Sequence, residues 1–452
     1  MIYGWNEWIA SNDWKEVLSK SAGYQIPHLL SLSHHAALQA EKICSSFAEL
    51  ENFNNNQKLI HLLIVADENT WPLWGKSLAE KIAHHGVKID SLVLKHPYAE
   101  MKTVKQMLSR LHGVNALLAV GSGTINDLTK YTAHLAGLPY GVVATAPSMN
   151  GYVSSSAAIM EDGIKRSLPA TLPHFVVIDA DLLATAPKRL LAAGAGDALC
   201  RSTARWDWLL SHWLLGTSYE ELPFDISIPR EQKFLVDVQG SNGSDTQQAR
   251  SILELLLLSG LGMVVAGGSF PASQGEHLLA HAMEMLFSEI SHQSYHGEQI
   301  AVTSLIAARL QSAIETKLDK IAFESDRAAI TPYSPDWQAI AQENNISDSM
   351  MKTLQIEWQA KDISPRIASG EIVQKIRKEW PEWKEKLRRH YVPEPALREA
   401  LATAGAPLTP LQLGWQEPYF SRACSLAPFI RSRFTCLDMA LYLGIELYPR
   451  PR

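Results

Sequence analysis

The chain has 452 residues, 46 % of them hydrophobic, which is enough to bury a large core and long enough for two domains. Lys and Arg total 41 against 47 Asp and Glu, a formal charge of −6, so no basic surplus invites nucleic acid or an acidic lipid surface, and a small anion needs a local basic pocket. Four scattered cysteines, Cys44, Cys200, Cys424 and Cys436, lack paired spacing, which argues against a disulfide framework and for reduced thiols in the cytoplasm.

The N-terminal stretch MIYGWNEWIASNDWKEVLSK carries acids and tryptophans where a secretory signal has a basic cluster and an apolar run, so it reads as mature protein. Beyond it, short β-branched or leucine-rich runs alternate with amphipathic ones, the pattern of a parallel sheet wrapped by helices. Strands are expected at Leu62 to Val65, Ile89 to Leu94, Ala116 to Val120, Gly141 to Val143 and Phe175 to Ile178. Helices are expected from Trp71 to His84 and from Val104 to Leu111, where apolar residues recur at three- and four-residue spacing. This is a Rossmann-like half. Asp67, ending the first of these strands, is placed either to accept hydrogen bonds from a ribose or to cap the helix that follows Thr70.

The segment GSGTINDLTKY leads from the strand ending at Val120 into a helix beginning near Thr124. Gly121 and Gly123 let backbone amides approach a phosphate, and the helix aims its positive end at the anion. The same turn occurs in α/β proteins without a nucleotide, and Asp127 and Leu128 stand where a third glycine would complete GxGxxG. A second loop, TAPSMNGYVSSSAAI, follows the strand at Gly141 to Val143, at the strand end where open α/β sheets bind ligands; Thr145 and Ser148 offer hydroxyls there. Ser155 to Met160 and Lys165 to Leu168 form a hairpin turning at Asp162 and Gly163.

After Pro187 long helical periods dominate, so a boundary near Ala186 divides an α/β domain, 1–186, from a mainly helical domain, 187–452. Leu253 to Phe270 is apolar enough to mimic a membrane span, but Glu254 and the glycines that interrupt it favour a buried helix over a span. The basic helix from Lys375 to Arg389 reads as a solvated face, with an interaction surface as the alternative. No repeat or low-complexity tract is evident. Large apolar helices and thirteen tryptophans favour a homo-oligomer.

The helical half holds the chemistry. GEHLLAH places His277 and His281 four residues apart on one helix face, HGEQ opens with His296, and GAGDAL supplies Asp197. Two imidazoles and a carboxylate from this set suit zinc or another divalent first-row metal and leave coordination positions open for substrate. The competing reading is that these are helix-surface histidines, as His212 and His292 are expected to be among the sixteen.

Taken together, GSGTINDLTKY, TAPSMNGY, APKRLLAAGAGDAL with TARWDW, and SQGEHLLAHAMEM with HGEQ resemble the sn-glycerol-1-phosphate dehydrogenase family, allied to glycerol dehydrogenases, iron-containing alcohol dehydrogenases and dehydroquinate synthase. The resemblance runs from about Leu62 to Val302, with a weaker echo at IRSRFTCLDMA. It implies a dehydroquinate synthase-like architecture and NAD or NADP as cofactor. One divalent metal, zinc first and nickel or iron as alternatives, is implied to be held by Asp197, His277 and His296. By the same resemblance Gly123, Thr124 and Asp127 match the first nucleotide loop, and Thr145, Ala146, Pro147, Ser148 and Ser154 the second. Asn150, Asp197 and His281 match substrate positions, and His281 and Asp197 are the expected catalytic pair.

The implied reaction is reduction of dihydroxyacetone phosphate to sn-glycerol 1-phosphate, with His281 as proton donor. A phosphorylated substrate needs cations. Lys165, Arg166, Arg201, Arg431 and Arg433 are candidates, and Arg201 is preferred because it lies four residues after Asp197, although that spacing also suits a plain ion pair. The chain departs from the family pattern at Asn150, usually aspartate, at Arg201, usually lysine, and at Ser122, usually glycine. Asn150 keeps open a dehydrogenase of another polyol or sugar phosphate, or a lyase that uses bound NAD transiently. A non-catalytic descendant is disfavoured, since an abandoned site has no reason to keep Asp197 and three histidines together.

Overall fold

In the computed structural model, residues 28–32, 39–48, 59–179, 183–239, 245–324 and 330–448 are described. The N-terminal stretch MIYGWNEWIASNDWKEVLSK lies outside the described residues. Strands β1 (His28–Leu32), β2 (His61–Asp67), β3 (Lys88–Leu94), β4 (Ala116–Gly121), β5 (Tyr140–Ala144) and β8 (Phe175–Asp179) form one sheet in the order β1-β8-β5-β4-β2-β3. Every neighbouring pair is parallel. The central strands β4 and β5 are buried along their whole length, which is why they read as unbroken apolar runs, whereas β3 at the edge mixes exposed and half-buried residues. All five expected strands are present, and β1 is an addition that the sequence pattern did not reveal.

Helices α1 (Gln39–Ala48), α2 (Lys76–Ala83), α3 (Met101–Leu108) and α4 (Gly123–Ala136) accompany this sheet. The helix expected over 71–84 is interrupted: Trp71–Gly75 is a π turn containing Pro72, and α2 begins only after it. The other expected helix begins earlier, at Met101. Strands β6 (Ser156–Glu161) and β7 (Ile164–Pro169) form the hairpin, with Asp162 (φ 49°) and Gly163 (φ 77°) both left-handed as a tight Asp-Gly turn requires.

By its packing the chain divides into two units, and the division differs from a single cut near Ala186. One unit holds 1–161, 165–194 and 232–269; the other holds 162–164, 195–231 and 270–452. The cuts fall inside α5 (Lys188–Leu199) and α7 (Ile228–Gln239). The long helix α8 (Asp245–Val265) belongs with the sheet, because its Leu253, Leu257 and Leu261 join the cluster of Leu63, Val104, Leu128 and Tyr152. Residues Gln247–Val265 are long and apolar enough to cross a membrane by composition, but 67 % of that stretch is buried in the protein, as expected of a core helix.

The other unit is helical. Its principal members are α6 (Arg201–Leu215), α9 (Gly275–Leu286), α10 (His296–Phe323), α11 (Glu371–Arg388) and α12 (Cys436–Tyr442), with shorter helices over 337–426. Helix α10 packs along α9, α11 and α12. The core between them includes Trp206, Leu279, Ile314, Ile376, Trp380 and Leu437. The basic helix α11 buries Ile372, Ile376, Trp380 and Leu387, and Lys384 and Arg388 pair with Asp319 and Glu315 of α10. Part of its charge is thus used within the fold.

Candidate functional site

In the sheet unit the two glycine-bearing loops leave the carboxyl ends of neighbouring strands β4 and β5, and the Thr145 amide donates to the Gly121 carbonyl. Helix α4 starts at Gly123, where Ser122 makes no side-chain capping bond, so its first amides face outward from a helix end that favours anions. Thr124 is half-buried there, while Thr145 and Ser148 are buried.

Two other expected cofactor residues are occupied within the loops. Asp127 accepts from the Ala158 amide (3.0 Å) and from Asn126 Nδ2 (3.0 Å). Ser154 Oγ donates toward the Gly151 and Ser156 carbonyls. The residue that organises this region, Lys130, was not singled out from the sequence. Its fully buried Nζ donates to Gly151 O (2.5 Å), Ser154 O (3.0 Å), Ser154 Oγ (3.0 Å) and Ser156 O (3.1 Å). Burial lowers its pKa to about 8, partly offset by the Asp127 carboxylate. Asp67 adopts the capping alternative, its Oδ1 accepting from the amides of Asn69 and Thr70 at 2.8 Å. Asn150 belongs to this unit, its Nδ2 donating to Ser259 Oγ at 3.2 Å.

In the helical unit, Asp197 near the end of α5, His277 and His281 on α9, and His296 at the start of α10 converge. Gly196 permits this: a Cβ there would lie 2.1 Å from the Gly297 carbonyl oxygen, so only glycine lets the ends of α5 and α10 approach. Nε2 of His277 stands 3.6 Å, and Nε2 of His296 3.9 Å, from Asp197 Oδ1. The His281 ring stacks on His296, with centroids 5.9 Å apart. Asp197, His277 and His281 are buried, while the His296 side chain stays 35 % exposed and gives the cluster an open side.

The donor set fits a metal ion. Ligands about 2.0–2.1 Å from a tetrahedral ion stand about 3.3 Å apart, close to the separations seen here. Glu276, fully buried, accepts from His277 Nδ1 at 2.9 Å and is itself held by the Gln274 amide (2.7 Å) and Thr203 Oγ1 (3.2 Å). This leaves Nε2 as the nitrogen turned to Asp197. Burial works against a charged His277, but hydrogen bonds to Asp197 and Glu276 outweigh it and raise its pKa. Glu284 lies 3.8 Å from His296 Nδ1, and Glu298 accepts from the Tyr295 amide at the start of α10. A second possible trio, Cys200 with Glu276 and His277, is a poorer donor set. Burial and the neighbouring carboxylates push the Cys200 thiol well up, and its Sγ donates to the Asp197 carbonyl. All four cysteines are free thiols.

Arg201, the preferred phosphate cation, is buried and makes a two-pronged ion pair with Glu231, while its Nη2 also donates to the His390 carbonyl. The ion-pair alternative therefore describes its observed state. Glu231 carried no motif that would have announced it.

A family model for iron-containing alcohol dehydrogenase matches residues 45–187. A glycerol-1-phosphate dehydrogenase (NAD(P)+) of Halalkalibacterium halodurans is 31 % identical over 283 residues, 60 % of this chain and 70 % of the relative. One from Pyrococcus horikoshii is 33 % identical over 267 residues, 58 % of this chain and 75 % of the relative. The chain belongs to the glycerol-1-phosphate dehydrogenase family. As a member of that family it is an NAD(P)-dependent oxidoreductase. Its fold is that of the wider group: the structure of a probable glycerol dehydrogenase from Sinorhizobium meliloti 1021 superposes with a TM-score of 0.54 at 17 % identity, covering 94 % of this chain and 99 % of that one.

Proposed function

We propose that this glycerol-1-phosphate dehydrogenase family member reduces dihydroxyacetone phosphate to sn-glycerol 1-phosphate, reversibly, with NADH or NADPH and one divalent metal, zinc in first place. The observation that carries the reading is the convergence of Asp197, His277 and His296, all three ligand atoms lying within 4.8 Å of one another. When bound, the metal supplies Lewis acidity toward a ketone oxygen and the dinucleotide supplies the reducing equivalents, leaving one proton for the protein to provide.

Asp197, His277 and His296 would hold the metal, and the hydrogen bond from His277 Nδ1 to Glu276 leaves His277 Nε2 free to serve as a ligand atom. His281, buried against His296 and outside that ligand set, provides the proton. Gly121, Gly123 and the Thr124 end of α4 receive the dinucleotide phosphates, and Thr145 and Ser148 supply hydroxyls from the adjoining loop. Burial of Asp197 and His277 keeps water from the ligands. The free thiols and the core position of α8 support a cytoplasmic enzyme.

One observation favours a second reading. Asn150, an amide where the family usually has aspartate, neither carries charge nor accepts a proton, so another polyol or sugar phosphate, or a lyase using NAD transiently, is the alternative. Replacing His296 with Ala tests the main reading: turnover and bound metal should be lost together while the melting temperature of the apoprotein is retained. Undiminished activity would sink the metal assignment.

A further inference from the structure

Asp197, His277 and His296 come from three chain segments of the helical unit, so other groups have to fix those segments relative to one another before any ion arrives. The start of α9 shows how. The first amides of a helix have no intrahelical partner, and Gln274, which precedes α9, makes no side-chain capping bond. Two buried carboxylates take amides there instead. Glu276 Oε1 accepts from Gln274 (2.7 Å), and Asp207 Oδ2, reaching over from α6, accepts from Gly275 (3.0 Å), two residues before His277. A Cβ on Gly275 would lie 2.7 Å from that oxygen and 3.0 Å from Cys436 Sγ, so glycine is what admits the carboxylate to the helix end.

The other oxygen of Asp207 serves two further helices. Oδ1 accepts from Gln311 Nε2 on α10, the helix that opens with His296, and from the Cys436 amide at the start of α12, both at 3.0 Å. Gln311 Nε2 also donates to the Thr203 carbonyl (3.0 Å), and Thr203 Oγ1 donates to Glu276 Oε2 (3.2 Å), the carboxylate that holds His277 Nδ1. Thr203 and Asp207 lie four residues apart on one face of α6, which itself begins four residues after Asp197. One helix face thus binds the start of α9 and the body of α10 and is joined by a short piece of chain to the third ligand. Asp207, Gln311 and Thr203 are fully buried, so water does not replace these bonds. The three nitrogens that approach Asp207 are all N–H donors, a set that a carboxylate satisfies with both oxygens and a side-chain amide cannot.

We infer that Asp207 is a positioning residue for the metal ligands: from α6 it fixes the start of α9 and the body of α10, so that Asp197, His277 and His296 stand at ligand spacing before the ion binds. This rests on the ligand assignment above, and Asp207 acts through α9 and α10 rather than on the ion.

The test is chelator competition for cobalt(II) in the full-length protein, with the visible d–d spectrum and the melting temperature recorded for each variant. It is run at about pH 9, because burial and the Glu276 carboxylate push the Asp207 pKa up to about 8. Asp207→Asn keeps the side-chain shape but turns an N–H toward one of the three donors; it should bind cobalt about tenfold or more weakly, with altered d–d bands. Gly275→Ala, which displaces the Asp207 carboxylate from α9 without changing it, should do the same. Ile376→Ala trims the core between α10 and α11 outside this network, so it should lower the melting temperature and leave cobalt affinity and spectrum as in wild type. Wild-type affinity and spectrum in Asp207→Asn, or in Gly275→Ala should Asp207→Asn fail to fold, would overturn the inference. An equal loss of affinity in Ile376→Ala would overturn it too, since affinity would then follow stability alone. A wild-type protein with no affinity for cobalt would instead strike the ligand assignment itself, and the positioning role with it.

Discussion

Gly196→Ala should separate metal binding from folding. A methyl group there would meet the Gly297 carbonyl oxygen at 2.1 Å and the Ala301 Cβ at 2.8 Å. Carbon–oxygen contacts stop near about 3.3 Å, so the ends of α5 and α10 must move apart by about 1.2 Å. Asp197 and His296 are the next residues along and before those contact points, and their ligand atoms are already 3.9 Å apart. Widened to about 5 Å, the gap exceeds the roughly 4.2 Å that one ion with bonds of about 2.1 Å can bridge. The overpacking itself should cost about 1–3 kcal/mol, tolerable for a core of this size. Metal affinity, measured by chelator competition, should therefore fall at least about 100-fold while a cooperative melting transition persists. A variant that keeps wild-type affinity would refute the argument that this contact sets the ligand spacing.

Glu276→Ala should lower metal affinity about 10- to 100-fold by freeing the His277 ring, again read by chelator competition. Asp207 accepts from the amides of Gly275 and Cys436 and from Gln311 Nε2, each at 3.0 Å, and so ties α9, α12 and α10 together. Asp207→Ala leaves buried donors without an acceptor and should cost at least about 3 kcal/mol in denaturant unfolding. Lys130, shifted from 10.5 to about 8 by burial, binds its proton less tightly when folded. Its contribution to stability should be smallest below about pH 8, rise between about 8 and 10.5, and total about 3 kcal/mol. Unfolding measured against pH for wild type and Lys130→Met should show that rising difference; a flat difference would mean that the folded protein leaves the Lys130 pKa unshifted.

What the sequence disclosed tracks how local the signal is. The strands β2, β4 and β5 were visible because strands covered on both faces are unbroken apolar runs, and the histidine cluster was visible because His277 and His281 share a helical period. Asp197 and His296 carry no such period, and only their accompanying motifs linked them to that helix. β1 was missed because it is separated from its partner β8 by most of the sheet unit. The return of α8 to the sheet was missed because an all-round apolar helix does not say which core it enters. Arg201 shows the limit of spacing arguments: lying four residues after Asp197 fixed its helix face, but its partner Glu231 comes thirty residues later. Lys130 looked like one more helix lysine, since nothing nearby in sequence announces the three carbonyls it gathers.

The most direct test is to follow nicotinamide absorbance with purified protein, dihydroxyacetone phosphate and NADH or NADPH, after chelation and again after adding back zinc. The account predicts no oxidation in the chelated protein, recovery with metal, and sn-glycerol 1-phosphate as product. Oxidation that survives complete removal of metal, or none with either nucleotide in the metal-loaded protein, would contradict it.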